Sequence, residues 1–347
     1  MSHNHNQGHP TISAAPMSRR NLLKALAASS VAVGLGAAMA PTAASAASGF
    51  GPAAAAAGPT ASSGVRLVPV NRLGIQLFTV RDKVSSLGFR PVLEELANIG
   101  YSEIEFAGYT QGANGAITPA QIRQLLDDNG LRAVGSHVNL NAGNIDAQIE
   151  IANVLGMPYL GQGGAIASGR TEAAWTTAAQ NWNVWGQKAK AAGLKGLYTH
   201  THNGEWNWAT DAAGANTSRR IYDVLWDNFD PDLVKFEMDI YWAYVGKHQY
   251  PGFEPVEYLQ RDPRRFPLVH LKDGKINPAS GNGYDIIEFG AGNIPYQEIL
   301  SALQRNRGQR YGMYEQDNAG NTAVAPNTPN SLGNAARSYE AIAALRG

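Results

Sequence analysis

The 347-residue sequence contains no cysteine. Disulfides and thiolate metal sites are therefore excluded, and any bound ion must be held by oxygen and imidazole ligands. Nor is there an excess of one charge: Lys plus Arg and Asp plus Glu each number 28. Without clustered basic residues the chain has no means of gripping a phosphate backbone, which disfavours a nucleic-acid partner. Long, strongly apolar runs are missing too. The weakly apolar stretch 25–40 is dominated by Ala and Gly and is shorter than the roughly 20 apolar residues that a membrane span needs, which argues against a stable membrane anchor. Two nucleotide signatures are also absent. No G-x-G-x-x-G follows the first strand-like run, and Gln162-Gly163-Gly164 and Gly290-Ala291-Gly292 lack the Lys-[ST] of a phosphate-cradling loop and read as tight turns.

What is present begins with an address. Ser18-Arg19-Arg20-Asn21-Leu22-Leu23-Lys24 is a twin-arginine pattern, and after the Ala-rich stretch Ala44-Ser45-Ala46 offers a small-residue cleavage site. Residues 1–46 read as a targeting peptide for twin-arginine export, placing the mature protein outside the cell or in its envelope. Removing Arg19, Arg20 and Lys24 leaves 25 basic against 28 acidic residues, a net charge near minus three. Residues 47–70, rich in Ala, Gly, Ser and Pro, read as a flexible linker. The remaining segment, 71–347, has the length of one eight-stranded β/α barrel.

Along that segment short apolar runs alternate with amphipathic stretches. Strands are expected at 73–78, 102–106, 131–138 and 158–161, and four more end near Leu197, Met238, Val269 and Tyr314. Helices are expected at 91–99, from the Thr118-Pro119 cap onward, and at 171–192, 218–227, 255–260, 295–304 and 331–345; Gly100, Asn129-Gly130 and Gly193 are stop signals. Repeated strand–helix alternation predicts a parallel sheet with helices outside, and eight units predict closure into a (β/α)8 barrel.

Each of the last four strands runs into metal-type ligands: His200-Thr201-His202-Asn203-Gly204-Glu205, Asp239, His270 and Glu315. In a parallel barrel the carboxyl ends of the strands converge on one face, so groups far apart in sequence can meet around one ion there. A lone His270 after three apolar residues would read as a core histidine, and a lone Glu205 as a helix-capping acid. Four such coincidences at one barrel face favour a metal site, with Glu205, Asp239, His270 and Glu315 as ligands and His200 or His202 as the alternative on strand five. His137 ends strand three and would point into the same mouth, where it could bind a hydroxyl. Lys272 could pair with a carboxylate ligand or touch substrate. Aromatic residues at strand ends, among them Trp206 and Trp242, suit stacking on sugar rings.

These residues resemble a known family. His200-Thr201-His202-Asn203-Gly204-Glu205-Trp206 is similar to the H-N-H-x-x-E-[FW] pattern of the xylose isomerase-like TIM-barrel superfamily, with Thr201 in place of Asn and Gly204 in place of a bulkier residue. Phe236 to Trp242 with Gly246, His270-Leu271-Lys272-Asp273, Glu288 to Ile294, and Glu315-Gln316-Asp317 resemble its later motifs in order, so that the likeness spans residues 72–345. The resemblance implies one divalent ion, manganese, magnesium, cobalt or zinc, bound to two adjacent oxygens of a small-molecule sugar or sugar derivative.

Such a site suits proton abstraction next to a carbonyl through an enediolate, with Glu315, Glu205, His200 and His202 as candidates to move the proton. The expected activity is that of a metal-dependent sugar isomerase or epimerase. A lyase or dehydratase acting on a 3-keto glycoside or keto-inositol starts from the same proton, and an exported sugar-binding protein needs no base at all.

Overall fold

Eight short apolar runs form parallel strands because each is buried on both faces, by helices outside and by side chains within. The computed structural model of the protein describes residues 64–304 and 311–347. Its barrel strands are β1 (Leu73–Gln76), β2 (Glu103–Phe106), β3 (Arg132–Ser136), β4 (Tyr159–Gln162), β5 (Gly196–Thr201), β6 (Val234–Asp239), β7 (Leu268–Leu271) and β8 (Tyr311–Tyr314). They pair in the order β3-β2-β1-β8-β7-β6-β5-β4, all in parallel. A single bridge between His137 and Gly161 joins β3 to β4, so the barrel is nearly closed.

Alternation along the strands decides what fills the interior. Tyr198 and His200, Glu237 and Asp239, Leu268 and His270, and Met313 and Glu315 are two residues apart, so each pair shares a strand face. Val134, Tyr198, Leu268 and Met313 form a small apolar cluster of their own. Phe236, Val269, Leu271 and Tyr314 join the large cluster that includes the helices. At the β3–β4 seam the Tyr198 ring fills the space: a Cβ at Gly161 would lie 2.3 Å from it, and one at Gly135 2.5 Å from its hydroxyl. Both positions therefore need glycine.

Several boundaries differ from the sequence expectation. The second half of β5 carries His200 inside the strand rather than beyond it. The helix expected from residue 218 begins at Ile221, because Asn216–Arg220 pairs with Trp208–Thr210 as a hairpin. A second hairpin, Asp273–Ile276 with Tyr284–Ile287, follows β7. The helices Ile145–Leu155 and Ile240–Gln249 have no counterpart in the sequence reading; the second is capped by Asp239, whose Oδ1 accepts from the Trp242 N–H at 3.0 Å. The end of the expected linker is anchored: Leu67 and Val68 are buried, and the Leu67 N–H donates to the Leu345 carbonyl at 3.1 Å. The targeting peptide and residues 47–63 lie outside the described residues. No helix among the described residues is long and apolar enough to cross a membrane.

Candidate functional site

The inner faces of the strands carry ionisable groups in two layers. In the deeper one, His137 Nε2 lies 3.0 Å from Glu105 Oε1 and 2.8 Å from Glu237 Oε2, while His270 Nε2 lies 2.8 Å from Glu105 Oε2 and 3.2 Å from Glu237 Oε2. The Tyr198 hydroxyl donates to Glu105 as well. Burial works against charge here, yet the Glu105 carboxylate and then Glu237 lift His137 to about 10. The same imidazoles hold Glu105 well below the usual carboxylate range, again against burial. Glu237 is raised, by burial first and then by the Glu105 charge beside it.

The upper layer is built from the strand ends. His200, Asp239, His270 and Glu315 each bring one ligand atom to within 4.8 Å of the others. His270 Nδ1 is 2.9 Å from Glu315 Oε2 and 3.7 Å from Asp239 Oδ2, and His200 Nε2 is 3.3 Å from that same Asp239 oxygen. Lys272 drives its ammonium between the two carboxylates, 2.9 Å from Asp239 and 2.7 Å from Glu315, and also reaches Asp317 at 3.0 Å. Burial would raise both carboxyls, but the Lys272 charge and the imidazoles outweigh it and hold Asp239 and Glu315 well below the usual range. His200 goes the other way, pulled down to about 3 by burial and then by the neighbouring His270.

This donor set fits a divalent ion. It consists of two carboxylates and two imidazoles, the oxygen and nitrogen ligands that first-row divalent metals accept. Burial opposes it, but Glu237, Glu315 and Glu105 hold the His270 imidazolium well above the usual range. An ion at Nδ1 would take the place of that proton, and with His200 and His270 then neutral the three carboxylates Asp239, Glu315 and Asp317 would face the single ammonium of Lys272. That leaves a formal charge of minus two, which one divalent ion cancels; buried charge left uncancelled is costly. His270 is also oriented for the task, since its Nε2 side is engaged by Glu105 and its Nδ1 side is turned to the upper layer. Such a carboxylate behind a ligating imidazole fixes the tautomer and raises ligand basicity.

Above the upper layer opens a cavity of about 310 Å³, floored by His137, His200, Lys272 and Glu315 and walled by Phe78 and His202. His202 is neutral there, pulled down to about 4 by burial and then by the Lys272 charge. The structure thus brings together His200, Asp239, His270, Glu315, Lys272, His137 and His202 from the sequence expectation. It places three others elsewhere.

Glu205 is not in the ligand group: it sits on the short turn Gly204–Trp206, where its Oε2 accepts from the His202 N–H at 3.1 Å, and His200 takes the strand-five position instead. The reason is the length of β5, which carries His200 to the mouth before the chain turns away. Trp206 is fully buried, stacked between Tyr222 at 4.2 Å and Phe253 at 4.4 Å, and so has no face for a sugar. Trp242 stands behind His202, 5.5 Å from its ring, and lies 5.7 Å below the Lys272 ammonium. Glu105, Glu237, Tyr198 and Asp317 were not among the expected site residues. For Glu237 a signal existed, since Glu237 and Asp239 share one strand face.

No curated protein matches the chain. Among solved structures it is similar to a sugar phosphate isomerase/epimerase from Parabacteroides distasonis, at 22% identity and a TM-score of 0.61 over 83% of this chain and 100% of that one. It is similar too to a D-psicose 3-epimerase from Clostridium cellulolyticum H10, at 14% identity and a TM-score of 0.52 over 79% of this chain and 96% of that one. A probable 3-DHS dehydratase from Bacillus anthracis has 13% identity and a TM-score of 0.55 over 78% and 97% of the two chains. At these identities the likeness is one of fold. The sequence pattern of the xylose isomerase-like TIM barrel matches residues 93–330, well over half of the sequence, and the chain belongs to that family.

Proposed function

We propose that the protein is a divalent-metal-dependent sugar isomerase or epimerase that moves a proton next to a carbonyl, through an enediolate. The observation that carries this reading is the set His200, Asp239, His270 and Glu315 at the mouth of the barrel, directly beneath a cavity. An ion held there supplies Lewis acidity toward a carbonyl and its neighbouring hydroxyl. The chain's own groups do the rest. Glu315 faces the cavity and is placed to take the proton; the Lys272 charge keeps it ionised but lowers its basicity, so the transfer relies on the acidity that a bound ion would give the C–H bond. Lys272 holds Asp239, Glu315 and Asp317 in place. His202, neutral and on the cavity wall, is placed to exchange a proton with a substrate hydroxyl, and His137, charged and on the floor, to donate a hydrogen bond to another. The epimerase and isomerase among the structural relatives support the reaction class.

Elimination shares the first proton transfer, and the dehydratase among the relatives is the reason to test for it. Metal-loaded protein incubated in deuterated water with ketoses, 3-keto glycosides and inosose separates the outcomes. Deuterium in recovered sugar supports isomerisation or epimerisation, loss of water or of a glycoside identifies a lyase, and neither event with any substrate refutes the reading. We propose further, from Arg19-Arg20 and Ala44-Ser45-Ala46, that the protein leaves the cytoplasm by the twin-arginine route. An Arg19→Lys, Arg20→Lys double variant should then stay inside the cell, and equal export of both forms would refute it.

A further inference from the structure

Glu205 is a buried carboxyl that the metal group leaves unused. Among the described residues no Lys or Arg pairs with it, and burial pushes it up to about 7, so that near neutral pH its acid form is populated and can donate a hydrogen bond as well as accept one. It lines a second cavity of about 380 Å³, bounded by Ala165 and Ala167 from the loop after β4 and by Asn203 and Gly204 from the turn after β5. That cavity is not remote from the first. His202 lines both, so a single imidazole separates them. Its lining combines apolar groups, Ala165, Ala167, Trp175 and Ile221, with the polar groups of Arg170, Asn203, Glu205 and Asn207. A sugar ring has that combination, with C–H groups on its faces and hydroxyls around its rim.

We infer that this second cavity binds a further ring of the substrate, so that the enzyme acts on a sugar of at least two rings joined across His202 rather than on a free monosaccharide. The inference rests on the reading of the mouth as a sugar site. Gly204 lines this space. A Cβ there would meet no atom within 4 Å, and its backbone is not in the left-handed region, so a side chain can start from this position without backbone strain and take up part of the space. Gly204 has no part in the ligand group.

The test compares one-ring and two-ring ketoses on the metal-loaded, full-length protein by calorimetry: fructose against lactulose, maltulose and isomaltulose, whose ketose unit is the same and whose added ring differs in linkage or in sugar. At least one two-ring ketose should bind roughly tenfold tighter than fructose. Gly204→Leu should abolish that gain while leaving fructose affinity within about twofold, and Gly204→Val serves the same purpose if the leucine variant fails to fold. Equal or weaker binding of all three two-ring sugars, or a gain that survives a folded Gly204 variant, overturns the proposal. Failure of the enediolate reading is distinguishable, because it shows as absent deuterium uptake whatever the binding series gives.

Discussion

The deeper and upper layers of the barrel interior are made of the same parts. Each has two carboxylates and two imidazoles, and His270 belongs to both. In the deeper layer both imidazole Nε2 atoms lie between the same two glutamates, at 2.8 to 3.2 Å, and the layer closes its charge with protons. The upper layer has the further charges of Lys272 and Asp317, a histidine kept neutral, and a cavity above it. Position, not residue type, separates a proton-filled network from a group of residues that could hold a cation. Glu105 and Glu237, sealed from solvent, have their charge balanced within the chain, whereas Glu315 and Asp317 line the cavity, where an ion could balance it. His270 joins the two, since in giving Nδ1 to an ion it can still donate Nε2–H to Glu105.

The change that should break the comparison most severely is His270→Ala. It removes a ligand from the mouth and strands Glu105 and Glu237 beneath it, and breaking a buried ion pair in this way costs about 3–5 kcal/mol. Elemental analysis should find the metal lost and calorimetry a large fall in Tm. A variant that stays loaded and keeps the parent Tm would show that the layers are independent of His270.

Much of this was legible in the sequence, and the reasons for the rest are specific. Strand positions were readable because each run is apolar and bounded by Gly, Asn or Pro. Asp239, His270 and Glu315 were readable because a polar residue ending such a run has one place to go. Glu205 was not, because its position depends on how far β5 runs before the turn, and that is set by pairing that continues to Thr201 opposite Met238 on β6. Trp206 was not, because whether an aromatic at a strand end faces the cavity or the helices depends on a turn that only Tyr222 and Phe253 define. Glu105 reads as one more strand residue until Tyr198, His137 and His270, from three other strands, converge on it.

Lys272→Met sharpens the contrast from the mouth side. With the ammonium gone, Asp239, Glu315 and Asp317 have lost their internal cation, and the metal-free protein should lose roughly 3 kcal/mol, in the range for breaking a buried pair. Added manganese should restore more Tm than it does in the parent, and its affinity should hold or rise. A weaker metal response than the parent's would mean that Lys272 supports the ligands by position rather than competing by charge.

Glu105→Gln probes the deeper layer with a smaller expected effect. The variant keeps one carbonyl oxygen for the His270 Nε2–H but loses the charge behind it. The metal should remain at about one per chain, with affinity reduced roughly 10- to 100-fold, as for other partners of ligating imidazoles. Loss of stoichiometric metal would place Glu105 among the ligands instead.

The smallest effect, and the one with a sign fixed in advance, concerns Glu205, which belongs to neither layer. Its carboxyl ordinarily titrates at 4.5 and in the folded chain at about 7, because burial disfavours its charge. Between those values the native state holds a proton that the unfolded chain has lost. The linked stability is therefore fully present below 4.5 and is lost as pH rises through 7, a change of about 3 kcal/mol at most. Glu205→Gln, neutral at every pH and still able to accept from the His202 N–H, should match the parent in urea melts at pH 4.5 and exceed it by about 2 kcal/mol at pH 8.5. Glu315 supplies the opposite sign when melts are run with a chelator. It is held well below the carboxylate range, against its burial, by Lys272 and then His270, so its contribution is present above 4.5 and is lost as pH falls. Glu315→Gln should accordingly lie below the parent at pH 8.5 and approach it in acid. If both variants shift in the same direction, burial and not the Lys272 charge governs the mouth, and the distinction drawn between a carboxyl without a cation and one held by a cation fails.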